Sequence, residues 1–209
     1  NISHELKTPL HGVLGFAAAA SKALGKGQLD KTEHYLANIL SSGQRLQDLV
    51  TDLLALSSLE SGKMRFRFLR TDLALVAHHC IGEQETRLQE RGLTVDLQTY
   101  TDDTGLDGDA GRLAQVVANL LANAIRFSPP GGRIRILLME ESAFPDDGLV
   151  RMEILDQGPG VPAEERQSIF EKFTQGRHGG AGGGTGLGLA ICREIVQAHR
   201  GDIHVEDNP

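Results

Sequence analysis

Gly176–His199 reads GRHGGAGGGTGLGLAICREIVQAH, and eight of its first thirteen residues are glycine. So few side chains predict a loop, and a plain flexible linker is the first alternative. The residues beyond the glycine run argue against the linker, because Leu187, Ala190, Ile191, Ile195 and Val196 recur at helical spacing. The loop therefore ends on a helix N-terminus, where unpaired backbone N–H groups and the positive end of the helix dipole form a ready site for phosphates. It is not the dinucleotide fingerprint, since the spacing is GxGxG and no strand leads directly into it; nor is it a P-loop, since no GK[ST] follows.

Working outward, the surrounding residues alternate short strands and helices. Strands are expected at Arg65–Arg70, Leu93–Thr99, Arg133–Met139, Val150–Leu155 and Asp202–Val205, and helices at Leu73–Glu90, Gly111–Phe127, Ala163–Phe173 and Leu187–His199. This is an α+β domain over residues 65–209. Residues 1–64 differ in kind. One apolar stripe (Ile2, Leu6, Leu10, Val13, Ala17, Ala20, Leu24), a GKGQLD turn with Asp30 as the N-cap, and a second stripe (Leu36, Ile39, Gly43, Leu46, Val50, Leu53) predict an α-helical hairpin. Two helices cannot bury both stripes alone, so a homodimeric four-helix bundle is expected ahead of packing onto an unseen neighbour.

The formal charge of −7, from 28 acidic and 21 basic residues, argues against a nucleic-acid binder, and anionic ligands must be met by local groups. Cys80 and Cys192 are too few and too far apart for a disulfide framework, which points to a reducing compartment. His78, His79 and Cys80 are adjacent helical residues pointing in different directions, a poor metal set. No apolar run reaches the roughly 18 residues that span a membrane. The chain opens on Asn1 rather than methionine, so a piece of a longer protein is expected.

Chemistry concentrates first in NISHELKTPL, residues 1–10. An imidazole is a competent nucleophile at neutral pH when one ring nitrogen is held as N–H, and Glu5 is an available acceptor and base beside His4. Thr8 lies one turn along the same face, and Pro9 leaves the Glu5 carbonyl without its helical donor. Four later segments fit one ligand. In NLLANAIRFSPPGG, Asn119 and Asn123 share a helix face, a carboxamide oxygen suits Mg²⁺, Arg126 offers a fork of donors for phosphate, and Phe127 offers a ring for a base. In VRMEILDQGPGVP, Asp156 can accept from an exocyclic amine while Gly158 and Gly160 admit a flat ring; the same string also reads as an ordinary turn. IFEKFTQ brings Phe170 and Phe173 as core anchors, and GGGTGLGLAI supplies the phosphate-binding amides around Leu187.

NISHELKTPL closely resembles the H box of sensor histidine kinases, and the four later segments, in this order, resemble the N, G1, F and G2 boxes of the ATPase domain those kinases share with type II topoisomerases and mismatch-repair ATPases. The resemblance runs from Asn1 to Val205. It implies an α-helical hairpin followed by an α+β two-layer sandwich, helices on a mixed sheet, that binds ATP. It implies that His4 accepts a phosphoryl group from ATP, that Glu5 is the general base, and that Thr8 orients a water during dephosphorylation of the partner. It implies that Asn123 coordinates Mg²⁺ with Asn119 beside it, and that Asp156 reads the adenine amino group. Gly158, Gly160, Gly184, Gly186 and Gly188 would shape the pocket and a lid over about Thr174–Gly183, with Thr185 and Leu187 in the same loop. The basic candidates for the γ-phosphate are Lys172, Arg177 and His178. The chain ends at Pro209, where such kinases commonly continue into a final β-hairpin.

The implied partners are a response-regulator receiver domain, whose aspartate takes the phosphoryl group, and a second copy of the hairpin. A membrane would enter only through a sensor region outside this chain, leaving this portion facing the cytoplasm. Two other readings compete: a degenerate kinase acting as a dimeric scaffold, against which every box stands intact, and an ATPase clamp, which has no reason to carry HELKTP on a leading helix.

Overall fold

The computed structural model describes residues 2–141, 149–174, 176–177 and 184–208. It divides into two compact units, Asn1–Met64 with Glu171–Gly188, and Arg65–Phe170 with Leu189–Pro209.

The first unit is built on helices α1 (Ile2–Leu24) and α2 (Leu29–Glu60). Gln28 rather than Asp30 occupies the N-cap of α2; Asp30 sits in the first turn, where its carboxylate still meets the helix dipole. The helices approach closely at Gly12, where a Cβ would lie 2.9 Å from Ser42 Oγ. Phe16 and Tyr35 stack across the pair with ring centroids 6.3 Å apart. Ala20, Ala23, Leu49 and Leu56 are buried, yet Leu10, Leu14, Leu36, Leu40, Val50 and Leu54 stay exposed. The stripe residues Leu10, Leu36 and Val50 thus find no cover within one chain.

The second unit contains β1 (Leu69–Asp72), α3 (Leu73–Glu83), α4 (Glu85–Arg91), β2 (Thr94–Thr99), β3 (Gly105–Gly108), α5 (Ala110–Phe127), β4 (Arg133–Glu141), β5 (Leu149–Leu155) and most of α6 (Gly188–Ala198). β1 pairs antiparallel with β3. β2 runs parallel to β4 and β4 antiparallel to β5, a mixed sheet in the order β2-β4-β5. On β4 the period-2 alternation is complete: Ile134, Ile136 and Leu138 are fully buried while Arg133 and Arg135 face out. Leu88, Leu121, Ala124 and Ile125 of α4 and α5 pack on the first two, and Leu73, Val76, Cys80, Leu113 and Val117 of α3 and α5 pack around Leu138. This is the helix-on-mixed-sheet architecture that the resemblance implied.

Five elements differ from the expectation. The helix expected over Leu73–Glu90 breaks at Gln84, which caps both α3 and α4, just after the weak helix former Gly82. The strand expected at Arg65–Arg70 begins only at Leu69, and β3 carries no periodic signal in its four residues, GLDG. Ala163–Phe173 holds only two single 3₁₀ turns, Ala163–Glu165 and Ser168–Phe170, and Phe173 closes the stretch at φ 63°, through which no right-handed helix continues. Asp202–Val205 forms no strand, although Ile203 and Val205 are half-buried on one side while His204 on the other lies 3.9 and 3.3 Å from Asp202 and Glu206. Among the described residues no helix is long and apolar enough to cross a membrane.

Candidate functional site

In the hairpin unit, the His4 side chain is 80% exposed and its Nδ1 lies 3.8 Å from Glu5 Oε1. That separation is longer than a hydrogen bond. Thr8 Oγ1 donates to the His4 carbonyl at 3.2 Å, and Pro9 leaves the next carbonyl, that of Glu5, without its helical N–H donor. An open imidazole with a carboxylate beside one nitrogen leaves the other nitrogen able to attack an electrophile.

In the sheet unit, α5 positions four of the expected residues. Asp109 caps its start, Oδ1 accepting from Arg112 N–H at 3.1 Å. Asn119 and Asn123 follow on one face, both half-buried. The Arg126 guanidinium lies over the Phe127 ring, 4.7 Å from its centroid, so the ring's flanking face is already positively charged. Asp156 ends β5 and accepts the Gly158 N–H at 2.6 Å. A Cβ on Gly158 would fall 2.7 Å from Asp156 Oδ1 and 3.1 Å from Phe127 Cβ, so only glycine fits between them. Phe127, Asp156 and Gly158 are thus brought together, while Gly160 (φ 71°) stands in open space.

Arg91 was not legible as part of this arrangement. Its Nη1 donates to the Ile125 and Arg126 carbonyls at 2.6 and 2.8 Å, and its Nη2 to Ser128 at 2.9 Å. It satisfies the orphan acceptors at the C-terminus of α5 and holds the Arg126–Phe127 end in place. The only sequence signal is a basic residue thirty-odd positions upstream, which spacing cannot interpret.

The glycine-rich segment has its own geometry within the hairpin unit. Phe173 N–H donates to the Gly186 carbonyl at 2.9 Å, and a Cβ on Gly186 (φ 69°) would lie 2.9 Å from the Phe173 carbonyl carbon. Thr185 Oγ1 accepts from Leu187 N–H at 3.2 Å and donates to Asp52 Oδ2 at 2.6 Å. Burial pushes the Asp52 carboxyl above the ordinary 3.8; the Thr185 hydrogen bond opposes this and Asp48, one turn earlier, adds to it. Lys172 is ion-paired with Glu60. Leu187 is buried, Gly188 opens α6, and Gly184 and Arg177 are exposed. His178 and most of the expected lid lie outside the described residues.

No three His, Cys, Asp or Glu side chains gather as a ligand set among the described residues. The donor that fits magnesium here is the neutral amide oxygen of Asn123, which suits an ion held mainly by phosphate oxygens and water.

Comparison with known proteins fixes the class and then the family. Residues 108–209 match the family described as Histidine kinase-, DNA gyrase B-, and HSP90-like ATPase. Residues 1–62 match the His Kinase A (phospho-acceptor) domain. With both matches in this order, the chain belongs to the histidine kinases. It is 35% identical over 211 residues to the signal transduction histidine-protein kinase BaeS of Escherichia coli, covering 100% of this chain and 43% of that protein. Among solved structures it is similar to the histidine kinase AdeS of Acinetobacter baumannii (TM-score 0.71, 28% identity, 93% of this chain and 86% of that one). It is also similar to the histidine kinase ThkA in complex with the response regulator protein TrrA (TM-score 0.71, 25% identity, 99% of this chain and 56% of that one). The chain spans less than half the length of the curated relatives it matches.

Proposed function

We propose that this chain is the catalytic core of an ATP-dependent protein-histidine autokinase, with residues 1–64 as dimerisation and phosphoacceptor hairpin and residues 65–209 as ATP-binding domain. The observation that carries the reading is the exposure of His4: a ring 80% open to solvent is accessible to a nucleotide held elsewhere in the chain. Transfer of a phosphoryl group needs positioning and charge neutralisation more than covalent chemistry from the protein. Glu5, nearest to Nδ1, holds the proton there and leaves the Nε2 lone pair for in-line attack on the γ-phosphorus. The P–N bond forms as the bond to the ADP oxygen breaks, and the Nδ1 proton passes to Glu5.

In the ATP-binding domain, Asp156 accepts from the adenine amino group, Gly158 and Gly160 admit the base beside Phe127, and Arg126 faces phosphate. The amides from Gly184 to Gly188, with Thr185 and Leu187 among them, cradle phosphates at the start of α6. Lys172 and Arg177 are the basic groups for the γ-phosphate, and Lys172 must first leave Glu60. Asn123, with Asn119 beside it, would hold Mg²⁺, which when bound neutralises the triphosphate. In the second reaction the carboxylate of a response-regulator aspartate attacks phosphohistidine, the P–N bond breaks, and His4 is regenerated. In the reverse role, as phosphatase, Thr8 orients the hydrolytic water. The exposed leucines of the hairpin support a homodimer. The resemblance to sensor kinases supports a cytoplasmic position for this portion, joined to a sensor region.

The test is incubation with γ-labelled ATP. The wild-type chain should take up label that is lost in acid and retained in base, as a phosphoramidate is. His4→Gln should take up none while still binding nucleotide; label retained by that variant overturns the assignment.

A further inference from the structure

Outside the boxes, the sheet unit holds a polar cluster centred on His199. His199 follows the last turn of α6, and both its ring nitrogens are engaged. Nδ1 lies 2.8 Å from the Ile195 carbonyl. A carbonyl only accepts, so Nδ1 carries the hydrogen and Nε2 presents its lone pair. That lone pair accepts the Asp109 N–H at 2.9 Å.

Asp109 in turn faces two ways. Oδ1 caps α5, and Oδ2 accepts the Arg67 N–H at 2.8 Å. The Phe66 ring meets His199 edge-on at 5.6 Å, and Phe68 lies tilted at 5.0 Å. Gly108, just before Asp109, leaves room for this: a Cβ there would stand 3.2 Å from His199 Cδ2 and 2.7 Å from Leu113 Cδ1. One imidazole therefore ties together the end of α6, the N-cap of α5 and the segment Arg65–Phe68, the stretch that follows directly on the hairpin helices.

We propose that His199, acting with Asp109, is a positioning residue that clamps the connecting segment Arg65–Phe68 to the ATP-binding unit and thereby sets the tether on which that unit reaches His4. This rests on the kinase reading above. Freeing four residues would lengthen the tether by roughly 13 Å when extended. A longer, looser tether lowers the effective concentration of one site at the other, and misplacement lowers the rate of a reaction that depends on alignment. The clamp touches no nucleotide group, so nucleotide affinity stays unchanged.

The chemistry chooses the variants. Asn at 199 can place an amide N–H where Nδ1 stands but offers nothing at the Nε2 position; Gln can place an acceptor at Nε2. In the full chain, His199→Asn should raise hydrogen exchange at the Arg67 and Asp109 amides by about tenfold or more and slow label incorporation at saturating ATP by about fivefold, with the Kd for a fluorescent ATP analogue within about twofold of wild type. His199→Gln should restore both amide protection and rate. Phe66→Leu, which leaves His199 in place, should deprotect Arg67 and slow transfer in the same direction, and circular dichroism melts should show all three variants folded. The proposal is overturned if Arg67 and Asp109 stay protected in His199→Asn, if Kd rises in proportion as the rate falls, or if Gln is no better than Asn. Should wild type itself incorporate no label, the kinase reading fails while the exchange measurements still decide the clamp.

Discussion

The hairpin and the sheet unit handle apolar surface in opposite ways. In the sheet unit Leu121, Ile134, Ile136 and Leu138 lose essentially all contact with solvent. Along α1 and α2 only two alanines and two leucines are buried, and Leu40 and Leu54 remain 75% and 64% exposed. One unit completes its core within a single chain, and the other leaves an apolar seam uncovered. On the function proposed above, the nucleotide site would rest on a self-sufficient scaffold, whereas the phosphoacceptor helix would depend on a partner copy.

The largest effect that can break this contrast is Leu121→Ala. Cutting a fully buried leucine where α5 meets the sheet should cost about 2–5 kcal/mol and lower the melting temperature of the sheet unit. A loss under about 1 kcal/mol would mean that its core is as incomplete as the hairpin's. Next comes Leu40→Asp on the exposed seam, which should shift the chain from dimer to monomer in sedimentation velocity while leaving the sheet unit's thermal transition in place. A dimer that persists would show that Leu40 lies off the seam.

The smallest effect concerns acid. Burial holds the Asp52 carboxyl above its ordinary 3.8 in the hairpin unit, so its folded state binds the proton more tightly and stability falls as pH rises from 3.8 through the raised value. In the sheet unit the carboxyls of Asp72 and Asp109 lie below 3.8. Asp72 is held down chiefly by the Thr104 hydroxyl; for Asp109, burial pushes up but the N–H groups of Arg67, Arg112 and Gly111 outweigh it. Their contribution is full above 3.8 and is lost as pH falls through the lowered values. Asp52→Asn should therefore raise the melting temperature slightly at pH 7, with the difference from wild type vanishing toward pH 3.8 and below. An equal difference at all pH values would remove burial as its cause.

The same contrast explains what could be read from the sequence. The β4 alternation, the α5 stripe and the helix after GGGTGLG were legible because each rests on local periodicity that the fold preserves. The two helices of the hairpin were legible too, but which residues they bury was not: Leu49 and Leu56, one heptad apart, are inside, whereas Leu36 and Val50 of the expected stripe are exposed. A repeat close to 3.5 residues cannot tell an intrachain face from an interchain one. At the site, Asp156, Gly158 and Phe127 lie together. The Arg91 staple, the Asp52–Thr185 hydrogen bond and the His199 clamp were invisible, since each joins residues 34 to 133 positions apart through groups that have no periodic signature.

The backbone link between Phe173 and Gly186 has an evolutionary consequence. Because an amide and a carbonyl make it, no side-chain replacement at position 173 other than proline can delete it, and the two flanks of the glycine run stay registered whatever lies between them. Insertions or deletions in that interval would change closure entropy only slowly, about 0.6 kcal/mol per doubling of length. Descendants of this sequence that vary in length between Arg177 and Gly184 keep both this link and the residues proposed to meet the nucleotide.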